Sequence, residues 1–160
     1  MKTPKDPEDI PRLFVKYWNL RKPDLMAELF EDDADFINVV GLWWTNRNDI
    51  FKAHDYGLKV IFKDSTLSII KLKTKMLSEN SAVIHAKMKL EGQTPKSDEK
   101  SGVRKTVFSF IVRKEDKGSW RAVSAQNTDI VGGAETYIRT KDGSLKAVDY
   151  KINKDLKKNI

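Results

Sequence analysis

The sequence predicts an α+β domain in which about three helices pack on one face of a bent antiparallel sheet. Two observations lead to this class. Apolar residues recur with a helical period in three segments before residue 62, and they alternate with a period of two from Ser65 onward. Helices that precede a run of long strands are typical of a sheet covered on one side. At 160 residues the chain has the length of one domain. We therefore expect a single domain, with its core over about residues 8–135 and a C-terminal hairpin and basic tail over 136–160.

Capping residues and apolar stripes define the three helices. The first begins near Asp6–Asp9, because acidic side chains favour the positive end of a helix dipole. A second, short helix begins at Pro23. The third is capped by Thr45 or Asn46, with Asp49 placed to complete a capping box after Asn46. The inward face of the first helix comprises Ile10, Leu13, Phe14, Tyr17 and Trp18. The inward face of the third comprises Ile50, Phe51, His54, Leu58, Ile61 and Phe62. His54 is therefore predicted to point into the domain.

A first strand follows the acidic segment EDDAD, and four long strands follow the third helix. In the first two long strands, lysines alternate with apolar residues. The residues predicted to face outward are Lys71, Lys73, Lys75, Lys87 and Lys89, with Lys105 and Arg113 as extensions. Those predicted to face inward are Ile70, Leu72, Met76, Ile84, Ala86, Met88 and Leu90. The lysine stripe favours a solvated face over a nucleic-acid site, because it contains none of the aromatic side chains on which single strands stack. We expect no nucleic-acid partner.

Several classes of protein and site lack support in the sequence. No apolar run approaches the roughly 20 residues that span a bilayer, and the N-terminal lysines are not followed by the apolar core of an export signal. We therefore expect a cytoplasmic chain with no membrane partner. The absence of cysteine excludes disulfides, thiolate metal sites and a cysteine nucleophile. Asp32, Asp33 and Asp35 form an acidic cluster without a recognisable ligand spacing, which favours a solvated turn over a metal site. Phosphate-binding loops and nucleophile elbows are missing, so we expect neither a metal nor a cofactor.

Three local patterns occur in a characteristic order. Asp32–Phe36 enters the first strand, Trp43–Trp44 leads to Ala53–His54, and Trp120–Arg121 leads to Gln126–Thr128. In this order they resemble the nuclear transport factor 2-like superfamily, and more narrowly the SnoaL-like proteins of the SgcJ/EcaC type. The resemblance implies a conical half-barrel, with three helices closing one side of a curved sheet around a deep apolar pocket, and a homodimer. Isomerases, cyclases, dehydratases and epoxide hydrolases occur in this superfamily beside pure binding domains, so the fold does not give the function.

The resemblance also bears on one residue of the first strand. Ketosteroid isomerases of this fold carry a general-base carboxylate shortly before a glycine, and the matching position here is Asn38, three residues before Gly41. An amide cannot accept a proton near neutral pH. The isomerase mechanism is therefore disfavoured.

The candidate site residues lie at the predicted mouth and wall of this pocket. The ligand-binding candidates are Tyr17, Asn38, Trp43, Trp44, His54, Gln126 and Asn127, and the catalytic candidates are His54 and Asp129. Successive residues of an extended segment point to opposite sides, so at most one of Trp43 and Trp44 should face the pocket. The same alternation separates Gln126 from Asn127 and Asp129. His54 titrates near physiological pH and could act as an acid or base or orient a ligand. Alternatively, it is a core histidine with one polar partner.

Three functions remain open on these residues. The first is a domain that binds a small hydrophobic or aromatic molecule, and the second is an enzyme that uses the same pocket with His54 or Asp129 as acid or base. The third is a structural dimerisation module with a collapsed pocket. A second ionisable group within hydrogen-bond reach of His54 would favour the enzyme, whereas an apolar cavity with amides alone would favour binding. A cavity filled by Trp44, Phe51 and Phe62 would favour the structural dimerisation module.

Overall fold

The computed structural model describes residues 2–98 and 101–151. Residues 99–100 of the predicted polar loop and residues 152–160, which include the predicted basic end, lie outside the described residues. The chain divides into two compact units, one ending at Asp129 and the other beginning at Ile130. The first unit contains the helices and the main sheet, and the second contains a two-stranded hairpin. In the described part of the chain, no helix is long and apolar enough to cross a membrane.

Three α-helices precede the long strands. Helix α1 spans Asp9–Asn19, α2 spans Pro23–Ala27, and α3 spans Arg47–Tyr56 and continues into a π-helical turn over Gly57–Ile61. The predicted cap of α3 is present, because the backbone N–H of Asp49 donates to Asn46 Oδ1 at 2.9 Å. The side chain of Asp49 also accepts from the Asn46 amide at 2.8 Å. The side-chain cap is confirmed for α3, whereas the residues that precede α1 and α2, Glu8 and Lys22, make no side-chain capping bond.

Six strands form the main sheet, which confirms the α+β class. The strands are β1 (Phe30–Ile37), β2 (Trp43–Trp44), β3 (Thr66–Ser78), β4 (Ser81–Glu91), β5 (Arg104–Lys114) and β6 (Trp120–Asp129). Their order is β2-β1-β6-β5-β4-β3, and all neighbours are antiparallel except β1 and β6, which are parallel. The pairing of β1 with β6 joins the N-terminal strand to the last strand of the meander. In the second unit, β7 (Thr136–Arg139) pairs with β8 (Leu145–Val148) around the turn predicted at Asp142–Gly143.

The inward alternation predicted for β3 is wrong at Ile70, and Met76, also predicted to face inward, is 50% exposed. The register shifts between Ile69, which pairs with Met88, and Lys71, which pairs with Lys87. This bulge leaves Ile70 without a partner, and its side chain is 48% exposed. An extra residue in one strand reverses the alternation that a regular period of two would give. The inward positions predicted for β4 are all buried.

The core lies between the helices and the inner face of the sheet. Phe14 of α1 is fully buried at its centre, with ring centroids 5.7 Å from Phe108 and 5.7 Å from Phe110. Its ring also packs against Phe36 at 6.3 Å. Large aromatic side chains of α1, β1 and β5 therefore fill the side of the sheet that the helices cover. Towards one end of the inner face, the same aromatic cluster borders a cavity.

Candidate functional site

A cavity of about 420 Å³ opens between the helices and the inner face of the sheet. Its wall combines aromatic and aliphatic side chains of α1, β1, the π-helical turn, β4 and β5 with a few polar groups. The polar or titratable side chains in the wall are Asn38, His54, Tyr56, Gln93, Arg104, Thr106 and Asn127. Val40, Leu42 and Tyr56 also line it, and each is more than half exposed, so the cavity is open on that side. Its size and apolar wall match those of pockets that hold small organic molecules.

The two adjacent tryptophans lie on opposite faces of the chain. Trp44 lines the cavity and packs against Phe36 with ring centroids 6.0 Å apart. Trp43 is 63% exposed, is absent from the cavity wall, and donates its indole N–H to Asp35 Oδ1 at 2.7 Å. The two residues form the short strand β2, whose pleat produces this alternation. Trp44 is therefore the tryptophan that a ligand in the cavity could contact.

His54 is buried against aromatic rings at the cavity wall. Its imidazole lies 5.0 Å from the ring of Phe36 and 5.6 Å from that of Phe14, both edge to face. Nδ1 lies 2.8 Å from the backbone oxygen of Ile50. A carbonyl oxygen can only accept a hydrogen bond, so Nδ1 carries the proton and Nε2 presents a lone pair. Burial lowers the pKa of His54 below its ordinary value of 6.5, although the hydrogen bond to Ile50 opposes this shift. His54 is therefore neutral near pH 7.

We expect the buried, neutral His54 to make the stability of the domain depend on pH. In the unfolded chain a histidine takes up a proton near pH 6.5, whereas folded His54 resists protonation to a lower pH. Below pH 6.5 the unfolded state therefore binds more protons, and the free energy of unfolding falls as pH falls, by at most about 1.4 kcal/mol per pH unit. Urea denaturation at a series of pH values measures this slope. Above about pH 5, where the carboxyl groups with lowered pKa values no longer contribute, His54→Gln should remove this slope and His85→Gln should keep it. An unchanged slope in His54→Gln over that range would contradict the assignment.

The β5 and β6 ends of the cavity carry its remaining polar groups. Arg104 Nε donates to Asp129 Oδ1 at 2.7 Å, and Arg104 Nη1 lies 3.4 Å from Gln93 Oε1. Asn127 lines the cavity, and its Oδ1 is buried without a hydrogen-bond partner among the described residues. Since Asp129 is engaged by Arg104 and is absent from the cavity wall, the structure does not join it to His54. The two predicted catalytic residues are therefore not hydrogen-bonded to each other.

Three of the predicted ligand-binding residues lie away from the cavity, as does the catalytic candidate Asp129. Tyr17 is 3% exposed and belongs to the core instead of the cavity wall. Gln126 is exposed on the outer face of β6, because the alternation of the strand turns Asn127 inward. Trp43 is the third, because its ring is exposed outside the cavity wall. All three residues belong to segments that border the cavity, as the sequence pattern predicted. Whether a given side chain points into the cavity depends on the pleat of the strand or the rotation of the helix.

Asn38 lies at the cavity but is occupied by the local turn. Its Oδ1 accepts hydrogen bonds from the backbone N–H groups of Val40 at 3.1 Å and Leu42 at 2.9 Å. These bonds form an Asx-type turn at the exposed rim, where Gly41 adopts φ = +86°. Asn38 Oδ1 therefore stabilises the turn at the rim of the cavity, and Asn38 Nδ2 is the side-chain atom that remains available to a ligand.

Arg104, Thr106 and Gln93 belong to the cavity wall but were not predicted as site residues. The signal for two of them is present in the segment VRKTVFSF, where the alternation that buries Phe108 also turns Thr106 and Arg104 inward. Polar residues at inward positions of a strand are typical of a pocket. Gln93 lies after β4 ends, and its position depends on a loop that no period describes.

No protein-family model matches the sequence, and comparison with curated proteins finds no match either. Solved structures give clear matches. An uncharacterised protein with a cystatin-like fold from Caulobacter vibrioides has 23% identity over 78% of this chain and 87% of its own, with a TM-score of 0.72. A nuclear transport factor 2-like superfamily protein from Salmonella enterica has 13% identity over 79% of this chain and 90% of its own, with a TM-score of 0.67.

A ketosteroid isomerase-like protein from Erwinia carotovora atroseptica is also similar, with 15% identity over 78% of this chain and 93% of its own and a TM-score of 0.64. Identities at this level show the fold alone. All three likenesses cover most of both chains. The chain therefore has the cystatin-like fold of the nuclear transport factor 2-like proteins.

Proposed function

We propose that the domain binds a small, largely hydrophobic or aromatic molecule in the cavity between its helices and sheet. The observation that carries the proposal is the open cavity of about 420 Å³, walled mainly by aromatic and aliphatic side chains. A few polar groups at fixed positions within an apolar wall are what small-molecule sites share. The open cavity also argues against the collapsed-pocket alternative, because Trp44 and Phe62 stand at its wall and leave its volume free. Phe51 lines a different crevice, beside α2.

Binding is favoured over catalysis by the surroundings of His54. An acid/base enzyme of this kind needs a second polar group that relays or receives a proton near the histidine. Among the described residues, the only hydrogen-bond partner of the His54 imidazole is the Ile50 carbonyl, and no carboxylate lines the cavity. The carboxylate of Asp129, the other catalytic candidate, is paired with Arg104. The arrangement supports ligand binding better than catalysis.

An acid/base enzyme of the isomerase, cyclase, dehydratase or epoxide hydrolase type is the second candidate. It is favoured by one observation: the neutral His54 lies in the cavity wall with its proton on Nδ1, so the lone pair of Nε2 is available to accept a proton from a bound substrate. The structural likeness to a ketosteroid isomerase-like protein is compatible with it. A hydrophobic carbonyl compound or epoxide that is consumed by the wild type, but not by His54→Ala, would establish this candidate.

The adjacent tryptophans provide a matched test of the binding proposal. We expect 2-methoxynaphthalene, an apolar aromatic probe, to bind the purified chain saturably and with one-to-one stoichiometry in isothermal titration calorimetry. Trp44→Ala should weaken binding by about tenfold, since it removes one aromatic wall of the site. Trp43→Ala should leave the affinity within about twofold, because that ring lies outside the cavity. Equal effects of the two variants, or no saturable binding, would contradict the proposal.

Two narrower assignments are part of the same proposal. We assign the chain to the SnoaL-like proteins of the SgcJ/EcaC type on the tryptophan pair, His54 and the segment around Asn127. We also propose that it forms a homodimer in the cytoplasm, which sedimentation equilibrium and cell fractionation would test. A monomer at high concentration would contradict the dimer.

A further inference from the structure

Two polar groups of the cavity wall are hydrogen-bond acceptors to which no group in the described part of the chain donates. His54 Nε2 is an acceptor, since the proton of this neutral ring is on Nδ1 and is donated to Ile50. Asn127 Oδ1 is a second acceptor, buried and without a hydrogen-bond partner among the described residues. A buried acceptor without a donor costs free energy, and a ligand that supplies the donor removes that cost. Neither acceptor has a hydrogen-bond donor among the described residues, so a ligand that supplies a donor complements this wall.

The two acceptors border one aromatic surface. His54 lies 5.0 Å from the Phe36 ring, and Phe36 lies 6.4 Å from the Phe108 ring. Phe108 in turn pairs across the sheet with Asn127. A flat ring packed against Phe36 and Phe108 would thus have an acceptor near each end. A substituent that donates a hydrogen bond could reach His54 Nε2 without leaving the aromatic surface, whereas Asn127 Oδ1 is covered and becomes a partner when its amide turns towards the ring.

The charge of the wall is balanced. Among the described residues of the wall, Arg104 is the one carrying a charge near pH 7, and its guanidinium is paired with Asp129 at 2.7 Å. An anionic ligand would have to compete with this carboxylate, and it would also face the two acceptors. A cationic ligand would face the guanidinium. The arrangement therefore favours a molecule without net charge.

We propose that the ligand is a neutral aromatic molecule carrying at least one hydrogen-bond donor, such as a phenol or an aromatic alcohol, with His54 Nε2 as its principal acceptor and Asn127 as the second. This inference rests on the proposed binding function and adds the chemical class of the ligand. It makes His54 and Asn127 residues that determine specificity, whereas Trp44 and Phe36 supply affinity for any flat apolar ring.

Three probes with one ring system test the inference. 2-Naphthol is neutral and donates a hydrogen bond, 2-methoxynaphthalene is neutral and does not donate, and 2-naphthoate is an anion near pH 7. We expect 2-naphthol to bind at least about tenfold more tightly than 2-methoxynaphthalene in calorimetric titrations. We expect 2-naphthoate to bind most weakly. His54→Phe should reduce the preference for the naphthol to about twofold or less, because the acceptor is replaced by an apolar ring.

Two substitutions on β6 test the inference even if His54→Phe fails to fold. Asn127→Leu keeps the side-chain shape but removes the amide, and we expect it to lower the preference for 2-naphthol by about threefold. Gln126→Met changes the neighbouring side chain on the outer face and should leave the preference unchanged. Retention of the full preference in both His54→Phe and Asn127→Leu would overturn the assigned acceptors.

The outcomes separate this inference from the function on which it rests. Equal binding of the naphthol and the methoxy compound would overturn the donor requirement and leave the binding function standing. Tightest binding of the naphthoate would overturn the neutral class and likewise leave the function standing. If none of the three probes binds, the proposed function fails and the inference fails with it.

Discussion

Ala53→Phe should reduce the affinity for 2-naphthol by at least about 100-fold while the domain stays folded. Ala53 lies on α3 next to His54 and lines the cavity. A phenyl group at this position would occupy the space into which a ligand ring must enter, and the surrounding wall is too well packed to withdraw. Because the added ring enters an existing space and displaces no core side chain, we expect the midpoint of thermal unfolding to stay the same or rise. Isothermal titration calorimetry and thermal unfolding measure the two quantities on the same samples.

The control for this prediction is Ala53→Ser, which keeps the small volume and should bind within about threefold of the wild type. Binding that survives in Ala53→Phe would mean that the probe occupies another surface, and the cavity would lose its assignment. Unfolding of Ala53→Phe would instead mean that the wall cannot accept a larger group. In that case the larger loss of affinity in Trp44→Ala than in Trp43→Ala would still decide whether the cavity is the binding site.

The sequence was sufficient for the class of fold and for the segments of the site, because both depend on periods. The helical stripe located α1 and α3 and turned His54 inward, and the period of two assigned the inner row of β4. The bulge at Ile70 escaped prediction because it is a single extra residue whose position depends on pairing with β4. The parallel pairing of β1 with β6 also depends on the packed fold, since nothing local distinguishes it.

The composition of the cavity wall was harder to predict than its position. The alternation of an extended segment predicted that at most one of Trp43 and Trp44 faces the cavity. Which of them does so depends on the register of β2 against β1. Arg104 and Asp129 are 25 residues apart, and their pairing is what leaves the wall neutral. Spacing along the chain could suggest Asp129 as a free carboxylate, whereas the contact with Arg104 shows that it is engaged. The chemistry of a site therefore depends on such long-range pairs more than on any residue alone.

Phe110→Ala should lower the free energy of unfolding by about 3–5 kcal/mol, the largest stability effect that we expect. The Phe110 side chain has no exposed surface, and its ring stacks on Phe108 with centroids 5.6 Å apart and an interplanar angle of 12°. It also packs against Phe14 at 5.7 Å. Truncation to alanine removes these contacts and leaves a cavity that the neighbouring strands can fill only in part. Urea denaturation followed by circular dichroism measures the loss.

This substitution should also weaken ligand binding, although Phe110 lies outside the cavity wall. Phe14 and Phe108 line the cavity, and both pack against the Phe110 ring. Because its removal takes away this support, the two side chains can shift and change the shape of the cavity wall. Ile111→Ala, the next residue on the outer face of β5 and 36% exposed, should cost less than about 1 kcal/mol and leave binding unchanged. A loss below about 1 kcal/mol for Phe110→Ala would contradict its position in the core. Loss of stability with full affinity would show that the cavity wall holds its shape without the aromatic layer beneath it.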